Sequence, residues 1–398
     1  SADLSGMVLD IAAWGSGDPM ELPWLTPPPK GHMADASRLL DMLGALDAKG
    51  MITTHGRKMA ALPCHPRIAN MLLKSADRGM QPLAADIAAL LEEKDPLSNE
   101  EDADIATRVA LLREKRSRKA EGKWRRIASI AAQYRRLAGC REDNSPVDSY
   151  DIGMLVASAY PERVAMRTSD RIYRLPNGET VRLGDNDDLE GCEFLAVASM
   201  GKRVFLAAPV SKAALKEMAS SYENVSWSSR EGRVVARKEL RMGILVIDSS
   251  VISNPDRDKI TESVCLAVRK EGRSVLDFTD DVECLRRRVA TVAQWHPELD
   301  LPDVSAEALM ASAADWLPLY AGNAMSAAEL RKIDLCAVIA GLVGYDGMQT
   351  IDRLAPSHIE LPCGRRAKID YRVGSEHPVV SARLQDCLGL LDTPRVDA

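Results

Sequence analysis

Apolar residues recur at spacings of three and four along much of this chain, which is the pattern of amphipathic helices. The first such pattern covers residues 3–14. Further along the chain, four of them follow one another closely, at 66–78, 82–94, 104–120 and 123–139. Pro66 suits the first turn of a helix, where the missing N–H costs nothing. Four adjacent amphipathic helices predict a bundle, which we assign to residues 63–150.

Residues 31–62 combine helices with a short extended segment. Leu39 and Leu40 lie near the end of one amphipathic helix, and Met51-Ile52-Thr53 has an extended pattern. Thr54 is placed to cap a following helix over residues 56–62. The order helix, turn, wing, helix is typical of a winged-helix unit, so residues 1–62 are predicted to be winged-helix-like.

After residue 163 the pattern changes to short runs typical of strands. Pro176-Asn177-Gly178 separates two of them and predicts a hairpin turn. The runs lie at 171–175, 180–183, 194–199, 203–208, 224–229, 233–238 and 244–248. Five or more short strands with one helix, starting at Ser211, predict a small β-barrel over residues 151–250. We expect Phe194 and Phe205 to point into it.

Residues 251–398 return to helical spacing. Helices are predicted at 256–271, 280–294, 305–316 and 326–342. Residues 368–371 and 379–382 suggest a small closing β-hairpin. The fold class is therefore α+β and multidomain, which suits a length of 398 residues.

Charge changes this picture at one place. The net charge of −6 argues against indiscriminate nucleic-acid binding, yet twelve Lys and Arg residues lie between Arg108 and Arg141. Only Glu114 and Glu121 oppose them there, so i,i+4 ion pairs do not explain the pattern. Either these residues are two solvated helix faces, or they bind phosphate groups.

The phosphate interpretation predicts a nucleic-acid site made of nine side chains. They are Arg67, Arg108, Lys115, Arg116, Lys119, Lys123, Arg125, Arg126 and Arg136. Binding through phosphates would supply affinity without sequence preference. In the strand region the chain is poor in aromatic residues, so contacts by Arg171, Arg174 and Lys202 are expected rather than base stacking.

Other chemistry is not predicted. The sequence contains no G-x-x-x-x-G-K-[ST] loop, no D-E-x-H and no H-x-x-x-H, and its eight cysteines have no paired spacing. We therefore expect no catalytic residue, no metal and no cofactor in this chain. Asp185 to Asp188 are expected to form a solvated turn. No apolar run approaches the ~20 residues of a membrane span, and no signal peptide is visible, so a cytoplasmic protein without a membrane partner is expected.

A family resemblance covers almost the whole chain, and three segments illustrate it. Residues 38–79 (RLLDMLGALDAKGMITTHGRKMAALPCHPRIANMLLKSADRG) resemble the helicase-associated region that follows the second motor domain in DEAH-box ATP-dependent helicases. Residues 354–362 (LAPSHIELP) and 382–395 (ARLQDCLGLLDTPR) resemble the C-terminal part of one bacterial group in that family. The resemblance implies an OB-like barrel, a bundle beside the nucleic-acid channel, and motor domains lying before Ser1 that bind ATP and Mg²⁺.

Two functions are compatible with these observations. The first is an accessory region of a helicase, an ATP hydrolase when whole, that binds single-stranded RNA or DNA beside its own N-terminal motor domains. The alternative is a protein-interaction scaffold that binds no nucleic acid, because residues 250–398 carry no charge cluster.

Overall fold

The computed structural model describes residues 3–15, 22–97, 102–118, 122–372, 377–390 and 392–397. The chain divides into two compact units. Unit 1 consists of Ser1–Tyr222 with Glu239–Ser249, and unit 2 consists of Glu223–Lys238 with Ser250–Ala398. Both contain helices and short strands, so the predicted mixture of helix and sheet is confirmed.

Unit 1 begins with helices. They are α1 (Ser5–Trp14), α2 (Lys30–Met42), α3 (Thr54–Ala60), α4 (Pro66–Ala76), α5 (Gln81–Glu92), α6 (Ile105–Ser117), α7 (Gly122–Leu137), α8 (Ser149–Ala159) and α9 (Lys212–Met218). Pro66 occupies the first turn of α4, as predicted. The cap of α3 is Thr53 and not Thr54, because the Thr53 side chain accepts the Gly56 N–H.

Two hydrophobic cores hold these helices. Leu40, Leu43 and Met59 belong to the core shared by α1, α2 and α3, where a single bridge pairs Leu46 with Ile52. The second core is centred on α5, in which every residue from Leu83 to Leu90 is buried. A helix that is apolar on all sides belongs at the centre of a bundle, and α5 packs against α4, α6, α7 and α8.

A five-stranded antiparallel sheet follows. Its strands are β1 (Val164–Ser169), β2 (Ile172–Arg174), β3 (Thr180–Arg182), β4 (Phe194–Met200) and β5 (Val204–Pro209), in the order β3-β2-β1-β4-β5. The predicted turn joins β2 to β3, and Gly178 takes the positive φ of 93° that the turn needs. Tyr173 lies on the buried face of this sheet.

The closed barrel predicted for residues 151–250 is wrong for the described residues. A single isolated bridge, Arg182 with Arg203, joins β3 to the residue before β5. The second edge of β5 is already occupied, since the Ala207 N–H donates to the Ala103 carbonyl at 2.9 Å. The later strands β6 (Ser220–Ser228), β7 (Arg233–Met242) and β8 (Leu245–Val251) form a separate sheet.

The bundle and the five-stranded sheet share one core. It runs from Ile68 on α4 to Ile247 on β8 without a break at residue 150. Helix α8 approaches β5 so closely that a Cβ on Gly153 would lie 1.8 Å from the Pro209 carbonyl oxygen. Only glycine fits there. The division into four domains, with boundaries at 62, 150 and 250, stays a prediction.

Unit 2 is mostly helical, as the sequence predicted. It contains α10 (Arg257–Glu271), α11 (Asp280–Trp295), α12 (Ala306–Ala311), α13 (Ala313–Tyr320), α14 (Ala327–Leu330), α15 (Leu335–Val343), α16 (Tyr345–Leu354), β9 (His358–Glu360), β10 (Arg366–Asp370) and β11 (Val379–Val380). β10 pairs with β11, which confirms the closing hairpin, and β9 adds a third strand. Trp316 is buried in its core.

Candidate nucleic-acid interface

Helices α6 and α7 carry most of the basic run, and each presents an apolar face to the bundle. Asp104 caps α6, since its side chain accepts the Ala106 N–H at 2.8 Å. Ile105, Val109 and Leu112 of α6 are buried. On α7 the buried stripe includes Ile127, Ala131 and Tyr134, and Trp124 and Ala138 pack against the same core. Amphipathic helices were predicted over residues 104–120 and 123–139, and both are confirmed.

A carboxylate at the centre of the bundle binds three of the arginines. Asp86 of α5 is fully buried. Its carboxylate oxygens lie 3.0 Å from Arg113 Nε, 2.6 Å from Arg116 Nη1 and 3.2 Å from Arg135 Nη1. Removing three guanidinium groups from water without such a partner would be very costly. Asp86 therefore determines which members of the basic run point inward.

A second carboxylate, after α7, completes this cluster. Glu142 lies 3.1 Å from Arg116 Nε and 3.2 Å from Arg135 Nη2. Backbone carbonyls of residues 143 and 145 accept further hydrogen bonds from Arg116 and Arg113. We call Asp86, Arg113, Arg116, Arg135 and Glu142 the Asp86 network. Ion pairs do account for part of the basic run, and their acidic partners come from outside α6 and α7.

Arg108 and Arg67 are buried as well. The Arg108 guanidinium lies 3.1 Å from Asp95 and 3.2 Å from Asp102, and its side chain is 2% exposed. Arg67 stacks on the Tyr160 ring at 4.7 Å and lies 2.8 Å from Glu162. Three of the nine predicted site residues therefore do not lie at the exposed surface of α6 and α7. They are Arg67, Arg108 and Arg116.

The other described members of the predicted site lie at the surface. We call them the outer cations: Lys115, Lys123, Arg125, Arg126 and Arg136. Lys119 lies outside the described residues. The exposed Arg126 makes an ion pair at 2.8 Å with Glu93, which is partly buried, and Lys115 Nζ lies 5.7 Å from the Trp124 ring.

The outer cations of α7 follow its solvent face. Arg125 and Arg136 are separated by roughly three helical turns, so they point in nearly the same direction about 16 Å apart along the axis. Arg126 lies beside that line, and Lys123 lies nearer the start of the helix. A phosphate backbone that runs along α7 would therefore meet Arg125 and Arg136 in succession, with Arg126 beside them.

The described part of the chain contains no group of three or more His, Cys, Asp or Glu residues that could hold a metal ion. Burial raises the pKa of the Cys64 thiol to about 11, so at neutral pH it is a packed thiol and not a thiolate. His65 beside it caps α4. Asp187, expected in a solvated turn, is buried and accepts the Ala103 N–H at 2.9 Å.

Two family models match parts of the chain. One is described as the ratchet-like helicase-associated domain HA2 and matches residues 65–133. The other is described as the ATP-dependent helicase C-terminal family HrpB_C and matches residues 316–398. The first match covers α4, α5 and α6 and most of α7.

Similar proteins extend the match to nearly the whole chain. The ATP-dependent RNA helicase HrpB of Escherichia coli K12 is 30% identical over 407 residues, which cover 99% of this chain and 48% of that protein. A crystal structure of E. coli DEAH/RHA helicase HrpB, 28% identical, covers 100% of this chain and 49% of its own with a TM-score of 0.55. The chain belongs to the family of HrpB-type C-terminal regions of DEAH-box proteins.

This HrpB-type region spans about half the length of the E. coli proteins that it matches. A shorter match, to the probable ATP-dependent RNA helicase DHR1 of Saccharomyces cerevisiae, is 35% identical over 102 residues and covers 26% of this chain and 8% of that protein. Among the described residues, no helix has both the length and the apolar composition needed to cross a bilayer.

Proposed function

We propose that this HrpB-type region binds single-stranded RNA without sequence preference through the outer cations of α6 and α7. The division of the basic run carries the proposal. The buried carboxylate of Asp86 binds three inward arginines, whereas the outer cations lie at the surface of a chain of net charge −6, Arg126 among them in an ion pair with Glu93. A concentration of exposed positive charge on an acidic chain favours a phosphate-binding surface.

The choice of RNA over DNA rests on the relatives. The similar proteins from E. coli and S. cerevisiae are named ATP-dependent RNA helicases. Within a longer protein in the cytoplasm, the outer cations would hold the strand beside N-terminal motor domains, and those domains would bind ATP and Mg²⁺. The proposal also includes a winged-helix unit in residues 1–62.

Removing four outer cations tests the proposal. We expect Lys123, Arg125, Arg126 and Arg136, all replaced by Ala, to weaken binding of labelled single-stranded RNA about equally for every sequence. The slope of log affinity against log salt should flatten by about 0.7 for each phosphate that the variant no longer neutralises. Exposed substitutions usually change the free energy of unfolding by only about 0.5 kcal/mol, so the fold should persist. Fluorescence anisotropy over a salt series measures both quantities.

A charge-matched control separates a local effect from a change in net charge. Replacing four exposed cations of unit 2, Lys259, Lys270, Arg287 and Lys332, by Ala removes the same charge. That variant should keep most of the wild-type affinity and slope. If the variant of α7 also keeps both, the outer cations are only a solvated helix face and the proposed function is wrong.

The chain by itself is expected to hydrolyse no ATP. Its sequence contains no glycine-rich loop with the lysine and hydroxyl that hold phosphates and Mg²⁺. Phosphate release in the presence of ATP, Mg²⁺ and RNA should remain at the level of a protein-free blank. Activity that persists through further purification and scales with protein concentration would contradict this prediction.

A second candidate function is a protein-interaction scaffold, and the observation that favours it lies in unit 2. The side chains of Leu319 and Tyr345 are 81% and 78% exposed. Large exposed apolar side chains are a feature of protein-binding surfaces. Binding of a protein partner that is insensitive to salt and abolished by Tyr345→Ser would support this function over RNA binding.

A further inference from the structure

We propose that the Asp86 network positions the outer cations, so that its carboxylates act on RNA binding without touching RNA. This inference rests on the proposed function. Two inward arginines of the Asp86 network are each adjacent in sequence to an outer cation. Arg116 follows the outer cation Lys115 on α6, and Arg135 precedes the outer cation Arg136 on α7.

This adjacency couples the direction of each inward arginine to the direction of the neighbouring outer cation through helix geometry. Consecutive residues of an α-helix point about 100° apart, since a turn contains 3.6 residues. When Asp86 and Glu142 hold the Arg135 guanidinium, the rotation of α7 about its own axis is determined, and with it the direction of Arg136. The pair of Arg116 and Lys115 does the same for α6.

Apolar packing alone gives α7 a weaker rotational restraint. Helix α5, on which α7 packs, has buried alanines at four positions: Ala84, Ala85, Ala88 and Ala89. Alanine side chains form low ridges, so ridge-into-groove packing against them resists rotation less than packing against larger side chains. Directional hydrogen bonds from the Arg135 guanidinium to Asp86 and Glu142 add to the polar restraint that Tyr134 of α7 provides by donating to Glu92.

The composition of the network agrees with a positioning role. Three guanidinium groups meet two carboxylates, and backbone carbonyls of residues 143 and 145 accept hydrogen bonds from two of the arginines. Replacing buried ionic clusters by apolar side chains often leaves proteins as stable as before, so stability alone does not explain such a cluster. A role in defining the geometry explains the cluster, because each guanidinium has acceptors in particular directions.

The sign of the effect on RNA affinity tests the inference. Glu142 is 42% exposed, so Glu142→Gln should leave the chain folded, which circular dichroism can verify. A role of charge alone predicts tighter RNA binding by this variant, because a negative charge is removed near phosphates. A positioning role predicts weaker RNA binding and a flatter slope of log affinity against log salt. Both should return toward the wild-type values in Glu142→Asp. The matched control is Glu217→Gln, which removes an exposed carboxylate paired with Arg78.

A second measurement does not involve RNA. Spin labels at the exposed positions Ala110 and Gln133 report the distance between α6 and α7. The distribution of distances between the two labels should broaden in Glu142→Gln and broaden further in Asp86→Asn. It should stay narrow in Glu217→Gln.

The outcomes separate the inference from the proposed function. Weaker binding, a flatter slope and a broader distance distribution in Glu142→Gln support positioning. The inference is overturned if Glu142→Gln binds RNA as tightly as wild type, or more tightly, while the four-residue variant of α7 binds weakly. The proposed function would then still stand. If the α7 variant itself binds like wild type, the proposed function is wrong and the inference falls with it.

Discussion

Replacing Asp86 by Ala is expected to lower the free energy of unfolding by about 3–5 kcal/mol, because it leaves buried guanidinium groups without their carboxylate. Arg113, Arg116 and Arg135 all contact Asp86, and each of these side chains is only 8% exposed. Glu142 reaches Arg116 and Arg135, and Arg113 would keep only a backbone carbonyl. Urea unfolding followed by circular dichroism measures the change.

The same chemical change at an exposed ion pair is the control. Asp35 of α2 pairs with Arg38, and both side chains are about two-thirds or more exposed. Exposed pairs contribute about 0–1 kcal/mol, so Asp35→Ala should unfold at nearly the wild-type urea concentration. Equal unfolding midpoints for Asp86→Ala and Asp35→Ala would show that the arginines find other partners or reach water when Asp86 is absent.

The helices of unit 1 could be predicted because their signals are local. Apolar spacing located α4, α5, α6 and α7 to within a few residues, and the proline at the start of α4 marked its first turn. The hairpin at Gly178 was equally local, since a proline, an asparagine and a glycine favour a turn whatever surrounds them. Such signals depend on neighbours in sequence, which a single sequence contains.

The partners of the basic run could not be predicted in the same way. The sequence between Arg108 and Arg141 shows almost no acidic residue, and Asp86 and Glu142 lie outside it. One signal was present and was missed. Asp86 is a lone acid within Leu83–Leu90, an otherwise apolar segment. A buried acid needs a cationic partner, and the arginine-rich helices that follow are the nearest source.

The prediction of a closed barrel was wrong for a related reason. Strand positions follow from local alternation, but closure depends on which chain segment reaches the edge of β5. Residues 103–104, from the segment before α6, take that place. Phe205 was also expected to point inward, yet its side chain is 56% exposed, because its neighbours Val204 and Leu206 are buried and successive strand residues point to opposite faces.

The last prediction concerns the packing of α4. Leu72 is 4% exposed and belongs to the core that α4 shares with α5, α7 and α8. Leu72→Ala should lower the free energy of unfolding by about 2–5 kcal/mol, through reduced apolar burial and the cavity left behind. Alanine keeps the helix propensity high, so the decrease reports on packing and not on helix formation.

Leu25→Ala is the matched control, because the Leu25 side chain is fully exposed in unit 1 and its truncation removes no buried surface. Urea unfolding should place the Leu25 variant beside the wild type and the Leu72 variant at a much lower midpoint. The upper end of the range is expected if the alanine-rich face of α5 cannot move inward to fill the cavity, since rigid surroundings leave the full cavity cost. A Leu72 variant as stable as the Leu25 variant would mean that α4 does not bury this face against the bundle.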